Sequence, residues 1–303
     1  MPSVVLDART VVPRNFPRVG AVSYLNSKPL VEGLRSRLPG GLTLDFPSRL
    51  AESLAAGSLD VGLVPSIEVL RSDGRYQIVS DACVAARGPV RSVKVYFRVP
   101  PGEVKTLSLD EGSRTSAALT QVILSHRFGI EADTERLPLG ASAGDSNGDA
   151  ILLIGDRAMF PLDEPFVAEW DLGDEWNRWT GLPFVFAVWA ARRDDDVGDL
   201  ADVLSSVRDA GVADAGTIAR REAAALGLDP ALVTDYLTNN LHFTLGSAER
   251  SGLKLFAQLA HEAGLAPGGI DLVFHDRTAR EHDRQPADAP PAVAAKKRHL
   301  VGT

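Results

Sequence analysis

The sequence predicts an α/β fold in two lobes. Three observations carry this expectation. Residues 18–66 alternate short apolar runs with helix-like stretches in the order β-α-β-α-β, the pattern of a parallel sheet. A second set of apolar runs follows a Pro-Pro-Gly break at 100–102, and one of them, Ala150–Ile154, is continuously apolar, as a strand buried on both faces is. Residues 197–265 then read as mostly helical, with Leu200, Val203, Leu204 and Val207 spaced along one helical face.

In chain order, residues 18–25 form the first strand, ending at a polar turn, Asn26-Ser27. Pro29 suits the first turn of a helix running to about 38, because its missing N–H has no partner to lose there. Residues 42–46 alternate as a second strand, and Ser48 can cap a short helix that Gly57 ends. Residues 60–64 are the third strand, and Pro65-Ser66 opens another helix. Residues 90–99 read as a long strand crossing between lobes, and 100–102 as the hinge. A strand at 106–109 precedes a helix that begins at Ser113 and ends at Gly129. After a loop at 140–149 come the buried strand at 150–154, a helical turn at 174–179 and a second buried strand at 184–189. Further helices fall near 213–226, 230–240 and 247–263. The expected lobes are therefore 17–98 with 190–276, and 99–189. Residues 1–16 form an extension, and the Pro-, Ala- and charge-rich 277–303 a disordered tail.

Composition narrows the function. The chain has 303 residues, 45% hydrophobic and 24% charged, enough to bury a core without disulfide or metal staples. A net charge of −8 gives no basic footprint for nucleic acid. A single cysteine, Cys83, rules out an intrachain disulfide and fits a reducing compartment. No apolar run approaches the roughly 18–20 residues of a membrane helix. The N-terminus lacks a basic segment followed by an apolar one, so the expected location is cytoplasmic. None of the six histidines stands at metal-ligand spacing with another His or Cys, and neither a P-loop nor a dinucleotide fingerprint is present. Residues 140–144 spell a Gly-x-Ser-x-Gly elbow, but the turn-forming 145–149 follow it where that elbow needs a helix.

Four segments can carry chemistry. Asn26 and Ser27 sit at the carboxyl end of a parallel strand, where such sheets bind ligands; the same residues also serve as a helix cap. Ser113, Arg114, Thr115 and Ser116 place three hydroxyls and a cation at a helix start, which suits an anion and equally suits simple capping. Gly155 and Asp156 directly follow a buried strand, so Asp156 can act as a base, orient a ligand hydroxyl or cap the next segment. Thr180 and Gly181 lie beside Trp176 and Trp179, either as the wall of a ring pocket or as core and turn.

These segments, with Pro65 and Ser66, resemble the chorismate dehydratase family of the futalosine route to menaquinone. The matching stretches are V-G-A-V-S-Y-L-N-S-K-P-L at 19–30, D-V-G-L-V-P-S-I-E at 60–68, S-R-T-S at 113–116, I-G-D-R-A at 154–158 and W-T-G-L-P-F-V-F-A-V-W at 179–189. Their order and spacing match over roughly residues 17–265. The Asn26-Ser27 loop differs from the Pro-Asn-Asp-Thr of the sister 1,4-dihydroxy-6-naphthoate synthase, which shares the fold.

The resemblance implies a type II periplasmic-binding-protein-like fold, with a ligand cleft between the lobes and hinge strands joining them, and chorismate as the small-molecule partner; the missing metal and nucleotide motifs give the expectation of no cofactor and no metal. It implies loss of water from C3 and C4 of chorismate, giving 3-[(1-carboxyvinyl)oxy]benzoate. Ser113, Thr115 and Ser116 would hold the ring carboxylate as charge develops. Asn26 would orient the enolpyruvyl carboxylate or the departing hydroxyl, and the proton would go to Asp156 or to that carboxylate of the substrate. Ser27, Pro65, Ser66, Arg114, Gly155, Thr180 and Gly181 are the remaining expected substrate contacts. A non-catalytic carboxylate-binding protein would use the same fold.

Overall fold

A computed structural model describes residues 16–38 and 40–274. The expected N-terminal extension up to residue 15 and the tail from 277 lie outside the described residues.

The chain begins with β1 (Val19–Val22), a 3-10 turn at Leu25–Ser27, and two short helices, α1 (Lys28–Val31) and α2 (Leu34–Arg37). The sequence predicts one helix here. Gly33 breaks it, because its left-handed φ of +71° cannot continue an α-helix. There follow β2 (Leu42–Asp45), α3 (Pro47–Ala55), β3 (Val61–Pro65), α4 (Ser66–Arg71) and β4 (Tyr76–Ala86). The next group is β5 (Val93–Phe97), β6 (Thr106–Asp110), α5 (Thr115–Phe128), β7 (Asp133–Leu137), β8 (Ala150–Ile154), β9 (Ala168–Asp171) and α6 (Leu172–Thr180). The last is β10 (Phe184–Arg192), α7 (Leu200–Ala213), α8 (Ala215–Leu226), α9 (Pro230–Asp235), a π-helical turn at Tyr236–Asn240, β11 (Leu241–Thr244), α10 (Ser247–Glu262) and β12 (Val273–Phe274).

Two sheets result. The larger has the order β11-β4-β10-β3-β1-β2, with β12 also on β4; the smaller has the order β7-β6-β8-β5-β9. Strands β1, β2 and β3 are parallel, as the β-α-β-α-β reading requires. Strand β10 runs antiparallel between β3 and β4. The chain passes from the larger sheet to the smaller between Ala86 and Val93 and returns between Thr180 and Phe184.

These crossings differ from the expected limits. Strand β5, which a boundary at 98/99 gives to the first lobe, bonds to β8 and β9 of the smaller sheet. Strand β10, which a boundary at 189/190 divides, lies wholly in the larger sheet. Residues 100–102, the expected hinge, belong to a turn between two strands of the smaller sheet. Hydrogen-bond partners decide lobe membership, and Pro and Gly mark only where the chain turns.

The core fills both lobes and their junction behind the cleft. Trp176 is fully buried and its indole N–H donates to the Pro183 carbonyl at 3.1 Å. It meets Phe184 and Phe256 edge-on at 5.1 and 6.1 Å, joining α6, β10 and α10. Burying one such aromatic stabilises by roughly 1.5–3 kcal/mol. Among the described residues, no helix is long and apolar enough to cross a membrane.

Candidate active site

The carboxyl ends of β1, β3 and β8 and the start of α5 meet at a crevice between the two sheets. The space in it, counted out to its open mouth and including solvent there, is about 520 Å³. Val22, Pro65, Val84, Val90, Val93 and Phe186 give it apolar walls. Tyr24, Asn26 and residues 113–116 supply its polar groups.

Ser27 builds the first corner from within. Its hydroxyl is fully buried and donates to the Tyr24 carbonyl at 2.9 Å and to that of Val22. Those bonds hold the 3-10 turn that turns Asn26 into the crevice. Ser27 is therefore structural and does not line the cleft. The Oδ1 of Asn26 is buried and has no hydrogen-bond partner among the described residues. An unmade buried bond costs roughly 1–3 kcal/mol, so this oxygen marks a place for a donor brought by a ligand.

The opposite corner is fixed by Asp110, which is 1% exposed. Its carboxylate accepts from the backbone N–H groups of Gly112 at 2.9 Å and Ile154 at 3.1 Å, and pairs with Arg157. The turn so held presents the N-terminus of the fourteen-residue α5 to the cleft, where unpaired N–H groups and the helix dipole favour an anion. Ser113 and Ser116 line the cleft, and among the described residues their hydroxyls make no hydrogen bond. Thr115 also lines it, but its Oγ1 accepts from Ile67 N–H at 3.2 Å, across the lobes. Arg114 is divided between Glu68 at 3.0 Å and Glu52 at 2.7 Å. Its charge is thus shared with two carboxylates of the first lobe while the residue lines the cleft.

Gly155 lines the cleft and Asp156 does not. Asp156 turns to the first lobe, where its Oδ1 accepts from Leu25 N–H at 2.9 Å. Burial pushes its pKa above the ordinary range; the Leu25 N–H and the Lys28 charge pull it part of the way back. Gly155 carries a φ of +72°, and a Cβ there would stand 2.7–2.8 Å from three ring atoms of Tyr24. Burial also drives the Tyr24 phenol well above its ordinary pKa, so its O–H remains a donor.

Pro65 lines the cleft, but Ser66 is fully buried and donates to the Val185 carbonyl at 2.7 Å. Thr180 and Gly181 lie outside it. The Thr180 hydroxyl donates to Trp176 O at 2.9 Å and accepts from Leu182 N–H at 3.1 Å, and Gly181 caps α6 at φ +73°. That is the turn reading of this segment. Tyr24 and Gly112 complete the polar lining and were not singled out from sequence. Tyr24 stands within the 19–30 motif, two residues before Asn26, without having been given a role of its own. Among the cleft's residues the only ionisable groups are Tyr24 and Arg114, so the crevice offers donors, an amide and apolar walls, and no carboxylate.

The family described as menaquinone biosynthesis matches residues 17–262. A chorismate dehydratase of Thermus thermophilus is 32% identical over 258 residues, covering 79% of this chain and 93% of that one. Among solved structures, a protein of Archaeoglobus fulgidus superimposes with a TM-score of 0.66 at 16% identity, over 82% of this chain and 98% of that one. The alkanesulfonate-binding protein of Xanthomonas axonopodis pv. citri, bound to MOPS, gives 0.57 at 17% identity, over 83% and 94%. A Candida albicans protein described as having the generic periplasmic binding protein fold gives 0.53 at 10% identity, over 84% and 92%. The architecture is periplasmic-binding-protein-like, and the chain is a member of the menaquinone-biosynthesis family.

Proposed function

We propose that this chain is a chorismate dehydratase, a hydro-lyase that removes water from chorismate to give 3-[(1-carboxyvinyl)oxy]benzoate. The family match and the Thermus relative support the reaction. The observation that carries the site is the unpartnered Asn26 Oδ1, buried at the edge of a cleft whose other polar corner is the 113–116 turn.

The chemistry follows from what lines the cleft. The ring carboxylate of chorismate takes the Ser113 and Ser116 hydroxyls and the N-terminus of α5, donors that strengthen as charge moves onto it. The apolar walls take the ring. A base removes the C3 proton, the freed electron pair enters the ring system as an extended enolate, and the C4–O bond breaks with loss of hydroxide, which leaves as water on protonation. Aromatisation drives the sequence. The described residues of the lining bring no carboxylate, which supports the enolpyruvyl carboxylate of the substrate as the proton acceptor. Asn26 orients the departing hydroxyl by accepting from it at Oδ1, or that carboxylate by donating from its amide N–H₂, since an amide does not titrate as a base near neutral pH.

Mass spectrometry of chorismate incubated with the purified chain tests the reading. A product lighter by one water supports it. Tight binding of an unchanged carboxylate, with chorismate intact, would instead make the chain a binding protein.

A further inference from the structure

Taking the dehydratase reading of the cleft as given, Asp156 needs a role, because it follows a cleft residue and faces away from the cleft. Four contacts that cross between the lobes are made beside the crevice. Leu25 N–H meets Asp156 Oδ1 at 2.9 Å. The Tyr24 ring packs on Gly155. Ile67 N–H meets Thr115 Oγ1 at 3.2 Å. Arg114 of the second lobe bridges to Glu52 and Glu68 of the first. Each is made by a cleft residue or by its immediate neighbour in sequence. Leu25 precedes Asn26, Asp156 follows Gly155, and Ile67 follows the Pro65-Ser66 corner.

The geometry points to Asp156 as a positioning residue, a latch between the lobes whose hydrogen-bond acceptance matters and whose ionisation is dispensable for turnover. One oxygen receives the N–H of the residue before Asn26. Closure therefore places the Asn26 amide at a fixed distance from the 113–116 turn, and both polar corners reach the substrate together. The Arg114 pairs add a second link between the lobes beside the same crevice. Asp156 does not touch the reacting atoms, and the proton from C3 does not pass through it.

Two variants separate a latch from a base. Asp156→Asn keeps an acceptor oxygen for Leu25 N–H and cannot take a proton. Asp156→Ala keeps neither. A latch predicts that Asp156→Asn stays within about threefold of wild type in kcat/KM, with an unchanged pH profile. It predicts that Asp156→Ala falls by roughly 10- to 100-fold, the scale of leaving the Leu25 N–H buried without an acceptor. The loss should appear mainly as a raised KM, because less of the chain stands closed. A base predicts that both variants lose kcat alike and that the acid limb of the profile disappears; that result overturns the proposal.

Small-angle scattering reads the latch without activity. Asp156→Ala expands relative to wild type while Asp156→Asn does not; equal dimensions for all three overturn the proposal. If wild type leaves chorismate unchanged, the dehydratase reading fails and the scattering comparison still decides the latch.

Discussion

At the scale of single residues, the cleft separates groups that face a ligand from groups that hold those groups still. Asn26 and Ser27 are adjacent, and only Asn26 presents an unmet polar atom to the crevice. Replacing Asn26 by Ala is expected to lower kcat/KM for chorismate by about 10- to 100-fold, the value of a hydrogen bond to a charged group, with the unfolding midpoint little changed. Full turnover in that variant would remove Asn26 from the mechanism. Gly155 has the opposite profile. Its φ of +72° and its contact with the Tyr24 ring leave no room for a side chain. Gly155→Ala should destabilise by about 1–3 kcal/mol in urea unfolding, from backbone strain alone, and Tyr24→Ala beside it should restore only the part due to ring contact. Both positions were visible in the sequence as polar or glycine corners after apolar runs. The direction in which each side chain points was not, because burial of Ser27 and the outward turn of Asp156 depend on contacts with residues far away in the chain.

At the scale of elements, strands flanked by turns were readable and strands carrying buried polar groups were not. Strands β1, β2, β3 and β8 match apolar runs with clear punctuation. Strand β4 was missed although it is the longest. Gln77, Ser80 and Asp81 interrupt its pattern, yet each is satisfied inside the fold. Gln77 donates to Arg192 O and Asp195 O, Ser80 meets Ser205 at 3.2 Å, and Asp81 pairs with Arg208. Strand β7 was missed for the reverse reason, since most of it is exposed. The inter-lobe crossing depends on another half-buried acid. Asp171 accepts from Val90 N–H at 2.8 Å and Arg91 N–H at 2.6 Å, and also caps α6 through Gly173 and Asp174. Arg91 sits there at φ +60°. Asp171→Ala leaves four backbone donors unpaired, and urea unfolding should show a loss of at least about 2 kcal/mol.

At the scale of the whole molecule, the contact between the lobes holds a carboxylate partly out of water. Because the folded-state pKa of Asp156 is raised above its ordinary 3.8, its ionised form is the disfavoured one in the fold. That cost is absent below the ordinary value and is fully present once pH exceeds the raised value. Asp156→Asn should therefore be the more thermostable protein at neutral pH, with the difference in Tm shrinking as pH falls toward 3.8. A difference that grew on acidification would contradict the buried, cross-lobe position of this group. The family resemblance reached the two-lobed form and the cleft from five short motifs. It did not reveal which motif residues face the substrate and which close the lobes over it.

The most direct test follows chorismate itself. Under single-turnover conditions with enzyme in excess, wild type should convert chorismate to 3-[(1-carboxyvinyl)oxy]benzoate, seen by mass spectrometry, while Asn26→Ala lags. Chorismate recovered unchanged from wild type at high enzyme concentration would contradict the assignment.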